Sequence, residues 1–324
     1  MNGSYFRAFM DLLNKPKLDI DKQIDLLKSR GVKFIIDNER VAKQFLQNNT
    51  YFYKIKSYSK NYPTNKENKY TNLDFAYLRD LSIIDMHLRK FIIELCLDIE
   101  HILRTKLLSD IQNNIKCDGY KIVDDFFKYN TQRHNQIKNQ INSALNNKNP
   151  RTIRDRILIK YRDNLAVWNL VEIIDFGFLI DLCEFYYKQY KNAVFNKIKG
   201  LLWASKCMRN LSAHNNCIID NLLAFKTFKP NNQINNVFIS KYNLILNAKN
   251  RLKNPAIHDF ISALIVFDIL CKSKKMKRYK YKQILDLFSK RMRKNSNYYK
   301  TNSLITGSFS FVAKFLIYLY KKNF

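Results

Sequence analysis

Three residues near position 210 have the types and spacing for acid–base chemistry on an anion. Arg209, Asn210 and His214 read Arg-Asn-x-x-x-His within the stretch LLWASKCMRNLSAHNNCIID. An imidazole titrates near neutrality, so it can take or give a proton at working pH. A guanidinium forks onto paired oxygens and stabilises growing negative charge. Asn210 and His214 are four apart, which on a helix puts them on one face. Arg209 stands about 140° round such a helix from His214, so its long side chain must reach back or the helix must end between them. The pattern is loose, because Arg251 and His258 match it too, with six residues between. That second pair spans Asn254-Pro255, a break leading into the next helix, and reads as structural. The plain alternative for the first trio is that His214 caps a helix and Arg209 pairs with an acid such as Glu172. No GxGxxG, P-loop, GxSxG or HExxH pattern occurs, so the common nucleotide-binding and hydrolase routes have no support.

The elements that must hold these residues are helices. Apolar residues recur every three or four positions from Leu81 to Leu103, predicting a helix over 81–108. A second helix is expected over 164–190 and a third over 194–214, the latter carrying Ile198, Leu202, Ser205 and Met208 on one stripe. Trp168, Trp203 and Glu172 are expected inside the protein. Between the first two helices, 112–156 is polar and rich in Asn, Lys and Arg, and reads as a solvated helix or mobile insertion ended by Asn149-Pro150. Phe260 to Cys271 is apolar on almost every face and predicts a buried helix. Near the N-terminus, KLDIDKQIDLLKSRG places Ile20, Ile24 and Leu27 at helical spacing and stops at Gly31, a natural residue just past a helix end. Six Gly and five Pro in 324 residues are too few for the many tight turns of barrels and sandwiches. The expectation is an all-α protein: a small basic N-terminal unit over 1–75, a helical domain over 76–225, and a basic helical C-terminal extension over 226–324.

Charge points to a polyanionic partner. Lys+Arg number 57 against 27 Asp+Glu, a formal charge of +30. An AT-rich genome inflates lysine, yet it does not explain acids outnumbered about two to one. The charge is densest from Lys272 to Lys300, where 12 basic residues face only Asp286. Lys274, Lys275, Lys277, Arg278, Lys280 and Lys282 alternate there with Tyr279 and Tyr281, and Arg291, Arg293 and Lys294 follow. These are the candidates for phosphate contact, against the alternative of a solvated lysine-rich face. A second candidate is the segment Tyr51 to Tyr62, where aromatics interleave with Lys54, Lys56 and Lys60 and could stack bases; the alternative is a turn or short strands with buried aromatics. The six cysteines form no CxxC pair and the five histidines do not sit at zinc-ligand spacing beside them, so neither metal nor cofactor is expected. The stretch MNGSYFRAFMDLLNKPK does not read as a signal peptide. The apolar run Phe309 to Tyr320 holds Lys314 and is too short to span a bilayer, so no membrane partner and a cytoplasmic location are expected.

Four ordered stretches carry a family resemblance. KLDIDKQIDLLKSRG with YFYKIKSYSKNY, LRKFIIELCLDIEHILRTKL, AVWNLVEIIDFGFLIDLCEFYY and RNLSAHNN together resemble the Abi family of bacterial abortive-infection proteins, of the AbiD/AbiF type, over about residues 17–222. The third stretch matches the family's W-x-x-V-E-x-x-x-F-G segment through Trp168, Val171, Glu172, Phe176 and Gly177, and the fourth its Arg-Asn-x-x-x-His signature. The resemblance implies a HEPN-like helical bundle and metal-independent RNA cleavage, with Arg209, Asn210 and His214 catalytic. It also implies a homodimer pairing two such sites, and RNA as partner, including a structured non-coding RNA. Past the histidine the chain has Asn215, Asn216 and Cys217 where family members often carry a basic or aromatic residue.

Overall fold

The computed structural model describes residues 17–147, 149, 151–234 and 250–324. The N-terminal stretch before residue 17 and Pro150 lie outside the described residues. Among these residues the architecture is all-α, without β-strands. The chain forms two compact units, each assembled from separated stretches of sequence.

Among the described residues the smaller unit comprises 17–86, 217–223 and 292–306. Helix α1 (Ile20–Ser29) is opened by Asp19, whose carboxylate accepts from the Lys22 amide at 2.8 Å, and closed at Gly31. Gly31 adopts φ +83°, and the Gly31 and Val32 amides donate back to Lys28 and Leu27, so the expected glycine stop is the one used. Helix α2 (Glu39–Asn48) is capped by Asn38, and α3 (Phe52–Ser57) runs into a 3₁₀ turn over Tyr58–Asn61. The segment expected as an aromatic–basic surface or short strands is therefore helical. Tyr58 and Tyr62 are buried in it, while Tyr51 and Tyr53 are exposed. Residues 217–223 are held by two buried polar side chains of this unit. Asp85 accepts from Tyr58 Oη and from the amides of Ile218 and Ile219, each at 2.9 Å. Asn61 donates to the Ile219 and Asp220 carbonyls and accepts from the Leu222 amide. The 292–306 stretch joins through Asp80, which accepts from Asn295 at 2.8 Å and Tyr299 Oη at 2.7 Å.

The larger unit comprises the described residues within 87–216, 224–234, 250–291 and 307–324. The long helix α4 (Phe75–Gln112) carries Leu95, Ile99, Leu103 and Leu107, all fully buried, at the three-to-four spacing read from the sequence. The polar stretch after it is not one solvated insertion. It folds as α5 (Lys121–Tyr129), α6 (Thr131–Asn146) and α7 (Ile153–Lys160), because Ile122, Val123, Phe126 and Phe127 give α5 a buried face. The helix expected over 164–190 is two. α8 (Val167–Ile173) stops at Ile174, and α9 (Phe176–Gln189) restarts where Asp175 Oδ1 accepts from the Phe178 amide at 2.9 Å. An N-capping aspartate inside an apolar run overrides the run's periodicity. Helix α10 (Ala193–Ala213) packs along α11 (Pro255–Leu270), which is buried nearly all round. Then follow α12 (Lys274–Asp286), a π-turn over Leu287–Arg291, a 3₁₀ turn over Ser296–Tyr299 in the smaller unit, and α13 (Ser303–Asn323). The α13 helix is longer than the apolar run at its centre, and by length and composition it could cross a membrane. Within the larger unit, Phe315, Leu316 and Leu319 on it are buried.

Both tryptophans depart from expectation. Trp168 is 48% exposed and Trp203 56%. The Trp168 ring sits against Gly119, where a Cβ would approach it to 2.3 Å, and Trp203 carries the Lys206 ammonium 3.8 Å from its ring centre. Glu172, expected as a buried partner, is exposed as well.

Candidate functional site

Helix α10 places the trio at its C-terminal end. His214 is the capping residue; the next position, Asn215, takes the left-handed conformation at φ 56°, and the Asn215 and Asn216 amides donate to the Ser212 and Leu211 carbonyls. Asparagine is the side chain other than glycine that accepts this conformation most readily. The turn satisfies the last carbonyls of the helix and swings the chain away, leaving the His214 ring exposed. It makes no side-chain hydrogen bond among the described residues, so both ring nitrogens are available to a ligand.

Asn210 lies one turn before His214 on the same face, as the spacing requires. Arg209 starts on a different face and reaches back: its Nη1 donates to Asn210 Oδ1 at 3.2 Å. Its Nε is buried without a partner. It makes no ion pair with Glu172, so the alternative reading of Arg209 as that acid's partner is not what the structure holds. On its buried side Arg209 neighbours Cys96 of α4. The Cys96 thiol donates to the Ser205 carbonyl at 3.4 Å, and burial pushes it up to about 12, with Arg209 opposing that shift and Glu100 adding to it.

One turn further along α4, Glu100 accepts from Arg104 Nη2 at 2.9 Å. Glu100 Oε2, Arg104 Nε and Ser212 Oγ join Arg209 Nε as buried polar atoms lacking hydrogen-bond partners. Buried polar atoms left unmatched cost free energy, and concentrate where a fold serves a ligand. Cys96, Glu100 and Arg104 succeed each other at four-residue intervals on α4, and Ser205, Arg209 and Ser212 at four and three on α10, with the Cys96–Ser205 bond joining the two stripes. Glu100 and Ser212 were not singled out from the sequence. The Glu-x-x-x-Arg spacing was visible there, but such pairs are common on helix surfaces. His101, beside them in sequence, is exposed.

The basic run divides. Lys274, Lys275, Arg278 and Lys282 of α12 are exposed, as is Tyr279. Lys280 is 3% exposed and forms ion pairs with Glu94 at 2.5 Å and Asp98 at 2.8 Å. Lys277 donates to the Asp268 backbone and carboxylate and to Asn323. Tyr281 is fully buried and donates to Asp268 at 2.9 Å. Of the two later arginines, Arg291 belongs to the larger unit and Arg293, exposed, to the smaller.

An all-helical chain with an Arg-Asn-x-x-x-His helix end is the class that fold and site define. Residues 44–220 match the model of the Abi-like protein family, a stretch holding α4, α10 and the whole trio. The chain belongs to this family, whose members are abortive-infection defence proteins. No curated protein and no solved structure matches the chain.

Proposed function

We propose that the chain is a metal-independent endoribonuclease of the HEPN type, deployed in abortive infection. The observation that carries this reading is the bond from Arg209 to Asn210, which draws the guanidinium toward the face where His214 stands exposed. In this reaction the ribose 2′-oxygen attacks phosphorus and the bond from phosphorus to the 5′-oxygen breaks. An imidazole takes the 2′-hydroxyl proton or returns one to the leaving oxygen, and the guanidinium offsets the extra negative charge on phosphate. One chain offers one such histidine, so the complete site is a homodimer pairing two α10 ends. Trp203, Cys207, Asn210 and His214 fall on a single stripe of α10, with Trp203 and His214 exposed, and this is the face for the second copy. RNA is the substrate, and a structured non-coding RNA is a partner that the charge of +30 suits. A second reading, a catalytically idle RNA binder, is favoured by the half-buried placement of Arg209 against α4.

Purified His214→Ala decides between them. Its side chain is exposed, so the fold should be kept while RNA cleavage falls roughly 10²–10⁴-fold. Arg209→Ala should fall comparably, and light scattering should give a dimer. Unchanged cleavage in both variants, or an active monomer, rejects the reading; absent cleavage in wild type with retained RNA binding selects the idle one.

A further inference from the structure

A cavity of about 280 Å³ in the smaller unit lies well away in sequence from the Arg–His trio. Its lining is contributed by the end of α1 (Leu26, Leu27, Arg30), by α3 and its 3₁₀ extension (Phe52, Lys56, Ser59), and by the turn carrying Thr64, Asn68 and Tyr70. Two backbone features fix this shape. Gly31 turns the chain at φ +83°, letting the Tyr70 amide reach the Arg30 carbonyl at 2.8 Å, and Asn68 takes φ 59° at the tip of the facing turn.

The chemistry of the walls is one-sided. Leu26, Leu27, Phe52 and Tyr70 supply apolar and aromatic surface. Arg30 and Lys56 supply two positive charges, and no carboxylate lines the cavity. The exposed Arg30 guanidinium makes no ion pair among the described residues. The Lys56 ammonium sits 5.9 Å from the centre of the Phe52 ring, so charge and flat surface are adjacent. The hydroxyls of Ser59 and Tyr70 share a hydrogen bond of 2.6 Å, leaving further donor and acceptor capacity at the wall. A ligand that satisfies all of this has a flat π-body to lie on an aromatic face and an anionic group within reach of a guanidinium. The volume falls at the small end of the range for ligand pockets, near 300 Å³, which admits one such unit and not a dinucleotide.

We propose that this cavity binds a single nucleoside phosphate unit, with its base against Phe52 and Tyr70 and its phosphate on Arg30 and Lys56. That unit has two sources: a free nucleoside monophosphate, or one nucleotide of a single-stranded RNA. Neither requires that the Arg209–His214 end be a nuclease, so the inference stands apart from the reading above.

The experiment is equilibrium dialysis of the full chain against AMP, CMP, GMP and UMP, inorganic phosphate, and a labelled single-stranded RNA hexamer. Saturable binding of at least one monophosphate or of the hexamer is expected, with phosphate alone at least about tenfold weaker, because it lacks the stacking surface. Arg30→Gln, at an exposed position, should weaken that binding about tenfold or more, the loss of one charge-assisted phosphate contact. Phe52→Leu, which keeps apolar volume and removes the ring, should weaken nucleotide but not phosphate. Monophosphate binding that displaces the hexamer assigns the site to either source; hexamer binding lost in Arg30→Gln without monophosphate binding assigns it to RNA. No saturable binding by any probe, or binding indifferent to both substitutions, overturns the proposal.

Discussion

Neutralising the exposed face of α12 gives a number that the structure sets. Of the six cations between Lys274 and Lys282, Lys277 and Lys280 are held by Asp268 and by Glu94 and Asp98. Four remain to meet phosphate: Lys274, Lys275, Arg278 and Lys282. Each phosphate neutralised adds about 0.9 to the slope of log affinity against log salt on a duplex, or about 0.7 on a single strand. Four contacts then contribute a slope of about −3.6 or −2.8, which over a fourfold rise from about 50 to 200 mM salt is a loss of roughly 150-fold or 50-fold. Six contacts would have meant more than about 10³-fold on a duplex. A filter-binding titration of the quadruple glutamine variant should flatten the slope by this amount and leave base preference unchanged, since phosphate contacts carry no sequence information. Lys280→Gln is the internal control. It should leave the slope alone while costing about 3 kcal/mol of stability, because Glu94 and Asp98 lose their shared cation. An unchanged slope in the quadruple variant refutes α12 as the phosphate face; a slope change in Lys280→Gln refutes the assignment of that lysine to the interior.

Three further outcomes follow from buried chemistry. Burial would raise the Asp268 carboxyl, but Lys322, Asn323 and Tyr281 outweigh it and hold the group below the ordinary range. Its contribution is thus complete above about pH 4 and is lost as pH falls through the lowered value; Asp268→Asn should cost about 3 kcal/mol at neutral pH in urea melts, and much less in strong acid. Gly31→Ala meets both a left-handed backbone and the Tyr70 carbonyl at 2.7 Å, so a loss of about 2 kcal/mol is expected, and a melt matching wild type would contradict the turn geometry. Cys96 and Cys183 are fully buried, with thiols that burial pushes far up; iodoacetamide on the native chain, read by mass spectrometry, should label Cys117, Cys207 and Cys217 first.

Periodicity and stop signals were legible in the sequence wherever one face met a core. The α10 helix ends at Ala213 against an expected 214, α11 is the all-round apolar helix anticipated, and Gly31 closes α1. The α8–α9 break was hidden because Asp175 interrupts an apolar run without changing its period, and only its cap bond to Phe178 reveals it. Trp168 and Trp203 misled because aromatic residues pack inside on average, whereas these cover a glycine and a lysine at the surface. At the site, the shared face of Asn210 and His214 could be counted from four-residue spacing. The reach of Arg209 and the unmatched buried atoms of Glu100 and Ser212 could not, since they depend on which face of α4 meets α10. The same limit applies to Lys280: a run of like charge does not say which members find carboxylates elsewhere in the chain.

The smaller unit draws its last pieces from residues 217–223 and 292–306, and this has a consequence during synthesis. A ribosome delivers the chain from the N-terminus at a pace of about 5–20 residues per second. Asp85 and Asn61 are made early but wait for the backbone at 218–222, and Asp80 waits longer still, for Asn295 and Tyr299. The α10 end bearing His214 emerges before either wait is over. A message cut or a frame lost after codon 214 and before codon 292 therefore yields a chain that carries the whole trio yet cannot finish its smaller unit. On the nuclease reading proposed above, quality control at the ribosome then bears on toxicity as directly as any inhibitor bound to the finished molecule.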